Sequence, residues 1–193
     1  MLLCVSKGGA TRDGFTIRKK GQDMELSSAS DRGVLYAAYD LLRRQQTGDL
    51  LSDGAVVAEM PSYDIRILNH WDNPDGTVER GYAGRSIWKW DELPETVSPL
   101  YEEYARANAS IGINAVVLNN VNAKPQMLST GMLRKVAVIA DVLRPYGIRT
   151  YLSVNFASPK ALGELPTADP LDADVQRWWK KKTKEIYRLI PDF

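Results

Sequence analysis

Ile111-Gly112-Ile113-Asn114-Ala115-Val116-Val117-Leu118-Asn119-Asn120-Val121-Asn122 carries three signals in order. Gly112 stands where a helix C-terminus wants a residue tolerant of positive φ. Residues 113–118, apolar but for Asn114, read as a buried strand covered on both faces. Asn119, Asn120 and Asn122 then make an abruptly polar tip. The same order returns at Tyr146-Gly147-Ile148-Arg149, with a strand expected over 148–154 and Asn155-Phe156 at its tip.

Between these junctions, Ser129 or Thr130 opens a helix with Leu133, Val136, Ala137, Ala140 and Leu143 on one face, stopped around Pro145 and Gly147. Upstream, a first strand is expected over 64–68, and Pro94 opens a helix with Val97, Leu100, Tyr101, Tyr104 and Ile111 as its apolar positions. Downstream, Asp169-Pro170 reads as an N-cap and first-turn proline, ahead of a stripe of Val175, Trp178, Trp179, Ile186 and Tyr187. Strands alternating with helices predict a parallel sheet of βα units. Three such units are not a finished domain, so the chain is expected to be a piece of a longer protein.

The N-terminal part has another rhythm. Strands are expected over 14–17 and 24–28, joined across Lys20-Gly21-Gln22-Asp23. Ser30 or Asp31 then caps a helix with Val34, Leu35, Ala38, Leu41 and Leu42 on one face, ended by Gly48. Residues 1–58 thus read as the end of a small α+β domain, its sheet expected to draw strands from outside the chain. Residues 59–193 read as the βα units.

Composition narrows the function. The 193 residues carry 25 basic and 24 acidic side chains, a net charge of +1, so no basic footprint points to nucleic acid. One cysteine, Cys4, excludes an internal disulfide framework, and one histidine excludes a multi-histidine metal site. No metal or cofactor is expected. The apolar start is too short for a membrane span or signal-peptide core, which favours the cytoplasm, with secretion the alternative if the natural start lies upstream.

Two architectures fit the βα rhythm: an open doubly wound sheet and a (β/α)₈ barrel. The open sheet would announce a nucleotide site by a glycine-rich turn after its first strand, but Leu68 is followed by Asn69-His70-Trp71-Asp72-Asn73. Ser6-Lys7-Gly8-Gly9 lacks the spacing of a phosphate loop and reads as a turn. In a barrel the site lies at the C-terminal strand ends. That rule gathers residues 69–73, 119–122 and 155–156: amides, the single imidazole and an indole. Amides both donate to and accept from hydroxyls, and an indole offers an apolar face to a sugar ring. Covering Trp71 with a ligand would contribute about 1–3 kcal/mol.

Several motifs carry a resemblance. Residues 66–73 (Arg-Ile-Leu-Asn-His-Trp-Asp-Asn), Asp75-Gly76, residues 79–86 (Glu-Arg-Gly-Tyr-Ala-Gly-Arg-Ser), residues 104–109 (Tyr-Ala-Arg-Ala-Asn-Ala) and residues 118–123 (Leu-Asn-Asn-Val-Asn-Ala) resemble the α-glucuronidases of glycoside hydrolase family 67. The likeness extends over nearly the whole chain. It implies an α/β fold: a partial (β/α)₈ TIM barrel preceded by the remnant of a small α+β domain. It implies removal of α-1,2-linked 4-O-methyl-glucuronic acid from xylooligosaccharides with inversion. It also implies that the catalytic carboxylates lie downstream of Phe193, so that this chain alone is inactive. Trp71 matches a tryptophan that packs on the uronic acid, and Val121 an aliphatic residue beside the 4-O-methyl group. His70, Asp72, Asn120 and Asn155 join the substrate-binding set by position. No nucleic acid or membrane partner is implied, and a homodimer is compatible with the full-length enzyme. The alternative is a non-catalytic carbohydrate-binding fragment.

Plainer roles stand beside these. His70 can tie its loop to the backbone, and Asp72 can form a turn. Glu79, Arg80 and Arg85 can shape the long loop through ion pairs. At least one of the three tip asparagines is expected to satisfy backbone groups. Trp178 and Trp179 read as helix packing, and the lysine-rich 180–184 as a solvated helix end.

Overall fold

The computed structural model describes residues 2–5, 13–122 and 124–193, so Ser6-Lys7-Gly8-Gly9 lies outside the described residues. The chain is α/β and divides into two compact units, 1–66 with 106–114, and 67–105 with 115–193.

In the first unit, strands β1 (Leu2–Val5), β2 (Phe15–Lys20), β3 (Asp23–Ser28) and β4 (Val56–Glu59) form a sheet in the order β1-β3-β2-β4. The β2–β3 hairpin forms where the turn chemistry predicts it. β1 runs parallel to β3, and β4 antiparallel to β2. Both were missed in the sequence: they are four-residue edge strands, too short to show a period. The sheet thus holds two strands besides the hairpin read from the sequence.

Helix α1 (Asp31–Thr47) starts at Ser30, whose hydroxyl accepts the Gly33 amide, and ends at left-handed Gly48. Ala37 and Leu41 bury against Ile17 and Leu26. The buried face is rotated from the expected one: Leu42 is half exposed, while Asp40 is buried and held by Arg43 and Arg44.

A polar node sits in this unit. Buried Asp13 accepts from Arg32, from Arg66 and from the Asn114 amide. Arg66 also donates to the carbonyls of Gly112 and Tyr63. Burial pushes the Asp13 carboxyl up, but the hydrogen bonds and charges of Arg66 and Arg32 outweigh it and hold the group below the ordinary aspartate value of 3.8. A buried charge kept ionised in this way needs all its partners.

In the second unit, β5 (Ile67–Asn69), β6 (Ala115–Val117) and β7 (Arg149–Tyr151) form a parallel sheet in that order, in register Asn69–Val117–Tyr151. The strands are shorter than the apolar runs predict. Helix α2 (Leu100–Ser110) begins later than Pro94 suggests. Ser98-Pro99 is the true start: Ser98 Oγ accepts the Leu100 amide, and residues 92–96 are a separate turn. Of the expected face, Tyr101 is buried, whereas Val97, Leu100 and Ile111 are exposed.

Helix α3 (Thr130–Leu143) is capped by Ser129 and buries Leu133, Val136, Ile139, Ala140 and Leu143. Gly112 and Gly147 both adopt positive φ ahead of their strands, as the junctions predict. A short helix α4 (Ser158–Gly163), unmarked by any long period, precedes α5 (Ala173–Leu189). α5 is capped by Asp172 rather than Asp169, because Asp172 Oδ1 takes the amides of Asp174 and Val175. Asp169 serves the preceding turn, accepting from Leu171.

Trp178 and Trp179 are half-buried packing groups with rings 4.9 Å apart. Trp179 lies against the Leu128, Leu133 and Ile186 cluster. Trp178 lies on Gly163 so closely that a Cβ there would stand 2.4 Å from its indole nitrogen.

Two outcomes follow for stability. Gly163→Ala lowers the melting temperature through a loss of about 1–3 kcal/mol, read by thermal denaturation. Asp13→Asn costs about 3 kcal/mol at neutral pH, because Arg32 and Arg66 lose a buried acceptor. Since the folded carboxyl is depressed, its contribution is complete above the unfolded value and lost as pH falls through the folded one. Urea titrations below pH 4 should therefore bring the two proteins together, and a constant difference across pH would contradict the ion-pair origin.

Candidate functional site

The parallel register sends the segments after β5, β6 and β7 off the same edge of one sheet. Residues 70–73, 118–122 and 152–155 therefore emerge side by side. Asparagines extend the ladder there. Asn119 Nδ2 donates to the Ser153 carbonyl at 3.0 Å and its Oδ1 accepts the Ser153 amide at 2.8 Å, replacing a backbone pair. Asn120 is buried; its amide group donates to Asn73 Oδ1 and to the Glu79 carbonyl, and its Oδ1 accepts the Asn122 amide. Asn73 donates to the same Glu79 carbonyl and to Thr77 Oγ1. Glu79 holds a left-handed φ of 59°, which turns its carbonyl toward both amides.

His70 and Asp72 lie beneath the edge. His70 Nε2 is 2.8 Å from the Tyr104 hydroxyl, and Nδ1 is 3.4 Å from Asp72 Oδ1. Asp72 is buried; its Oδ2 accepts the Ser86 hydroxyl and its carbonyl accepts the Asn120 amide. Trp88, fully buried, packs its ring 5.4 Å from His70 and 5.3 Å from both Tyr101 and Tyr104. Burial, aided by the charge of Asp72, pushes the Tyr104 hydroxyl far above the ordinary tyrosine range, so it stays protonated. Trp71, by contrast, is 36% exposed and Val121 52% exposed. Asn155 is half-buried and its Oδ1 accepts the Ala157 amide at the start of α4.

The long loop is not shaped by the expected ion pairs. Among the described residues no salt bridge joins Glu79, Arg80 or Arg85, and both arginines are exposed. Exposed pairs gain little in water, whereas buried amides must find acceptors, so asparagine–carbonyl bonds set the shape instead. One ion pair, Lys124 with Asp75 at 3.0 Å, does tie the loop to the segment after β6. A hollow of about 410 Å³, lined in part by Asp75, Arg85, Trp88 and Trp90, does not include Trp71 or Val121. Among the described residues, no group of three or more metal-ligating side chains gathers, and no helix is long and apolar enough to cross a membrane.

Residues 45–193 match the middle domain of glycosyl hydrolase family 67. The chain belongs to that family. It is 43% identical over 181 residues to a probable α-glucuronidase A of Neosartorya fischeri, and 44% identical over 185 residues to α-glucuronidase A of Emericella nidulans. An α-glucuronidase of Hypocrea jecorina is 40% identical over 186 residues. Each alignment covers 93% of this chain but only 21–22% of the relative, so the chain spans about a fifth of their length. Two solved structures share the fold. A GH138 enzyme targeting pectin rhamnogalacturonan II has a TM-score of 0.65 at 13% identity, over 98% of this chain and 25% of that one. A β-N-acetylhexosaminidase from Bacteroides fragilis has a TM-score of 0.56 at 14% identity, over 94% and 41%.

Within this family 67 chain, Tyr104, Ser86 and Trp88 were not singled out as site neighbours from sequence. Tyr104 carried a helix-face signal and a place in a family-like motif, neither of which pairs it with His70, 34 residues away. Asn119→Ala leaves the Ser153 amide and carbonyl without their partner and should cost about 2 kcal/mol in chemical denaturation. An unchanged unfolding midpoint would show that the β6 and β7 tips do not depend on that amide.

Proposed function

We propose that this chain is part of an α-glucuronidase that removes α-1,2-linked 4-O-methyl-glucuronic acid from xylooligosaccharides by inverting hydrolysis. In this reading residues 1–58 end an N-terminal α+β domain, and residues 59–193 supply the first three βα units of a (β/α)₈ barrel. The observation that carries it is the shared register of β5, β6 and β7, with two apolar side chains, Trp71 and Val121, still open at the common edge.

Trp71 packs on the uronic acid ring, and Val121 lies beside the 4-O-methyl group. His70, Asp72, Asn120 and Asn155 support that surface, since each is already committed to protein partners. Asp72, buried and accepting from Ser86, is unsuited to activating water. By the family resemblance, the two carboxylates that inversion requires, about 6.5–9.5 Å apart, come from other parts of the enzyme. That agrees with a chain one-fifth the length of its α-glucuronidase relatives.

In the natural gene product carrying this chain, Trp71→Ala should lower kcat/KM on aldouronic acids about tenfold or more, the equivalent of losing 1–3 kcal/mol of ring contact. The melting temperature should stay unchanged. Unaltered kinetics with reduced stability would instead make Trp71 a packing residue.

A further inference from the structure

His70 is the only histidine in the chain, and both its ring nitrogens face partners. A bare Nδ1 would set its lone pair against an oxygen of Asp72, 3.4 Å away. The neutral ring therefore carries its proton on Nδ1, which leaves Nε2 as an acceptor. The Tyr104 hydroxyl, 2.8 Å from Nε2, must then donate. The relay continues beyond Asp72: Ser86 donates to its Oδ2, and Ser86 Oγ accepts the Trp88 amide at 3.0 Å. Trp71 lies in sequence between the imidazole and the carboxylate, and its own carbonyl accepts the Glu79 amide at 2.8 Å.

We infer that His70 is a positioning residue: held as the Nδ1–H tautomer between Asp72 and Tyr104, it fixes the backbone on both sides of Trp71 and neither transfers a proton nor touches the sugar. The geometry leaves it no free nitrogen. Trp88 and Tyr104, with ring centres 5.4 and 5.5 Å away, pack around the imidazole and restrain its rotation. The consequence for Trp71 as a sugar platform rests on the proposed function; the tautomer does not.

The test keeps the two apart. ¹⁵N-histidine NMR of the natural gene product reads this imidazole, its signals assigned by their loss in His70→Leu. For the neutral ring the expected spectrum shows a protonated Nδ1 and a bare Nε2. Tyr104→Phe should move the Nε2 signal most, and Asp72→Asn the Nδ1 signal. An Nε2–H tautomer, or an averaged mixture insensitive to both substitutions, overturns the inference whatever the protein binds. In the natural gene product, His70→Asn, whose amide can still donate to Asp72, should keep KM within about threefold and leave the pH profile unmoved. His70→Leu should raise KM about tenfold or more. Equal losses in both variants, or a pH limb that vanishes in His70→Asn, would make His70 a catalytic or ligand-contacting residue. A wild-type protein inert toward aldouronic acids would overturn the proposed function and leave the tautomer result to stand on its spectrum.

Discussion

The regular ladder ends within a residue of Asn69, Val117 and Tyr151, and from there side chains satisfy a large share of the polar groups at the sheet's tip. That requirement governs the site. Asn119 meets it by imitating a peptide unit toward Ser153, and Asn120 meets it by reaching across to the Glu79 carbonyl. Each asparagine offers a donor and an acceptor in one plane, so it can continue a ladder where the chain itself must turn away. With these amides spent inward, Trp71 and Val121 are left as apolar groups facing outward, beside the exposed Asn69 and Asn122.

Much of the fold was legible because its signals are local. Ser30, Gly48, Ser129 and Gly147 mark helix ends with their own side chains or their own φ, and the hairpin turn needs only four residues. What was misread involved competition between similar signals. Pro94 and Pro99 both look like first-turn prolines, and the bond from the Leu100 amide to Ser98 favours the second. Asp169 and Asp172 compete in the same way, and the amides of Asp174 and Val175 decide it. Edge strands β1 and β4 left no trace because four residues give too little period to read.

The site was legible in outline and not in its wiring. Strand order and the polar tips gathered Trp71, Val121 and Asn155 along one edge, which needed only the βα rhythm. The partners of His70 and Asp72 were out of reach, since Tyr104 and Ser86 lie 34 and 14 residues away. Asp72, placed in the substrate-binding set by sequence, is buried, because the loop folds back to bring Ser86 onto its carboxylate. Long-range burial of that kind has no periodic signature.

The loop after β5 is two things in one. From Asn73 to Glu79 nearly every bond is counted: the Asn73 amide to the Thr77 carbonyl, Gly76 to Asn73, and Glu79 back to Trp71. Thr77 pairs with Arg85 and closes the span, while Arg80, Gly81, Tyr82, Ala83 and Gly84 project into solvent. Adding or deleting a residue inside the first span would slip every later donor off its acceptor. Among the described residues the outer bend is held only by the Gly81 amide on the Val78 carbonyl and the Tyr82 hydroxyl on Glu79, so a change of length there would disturb little of what lies below.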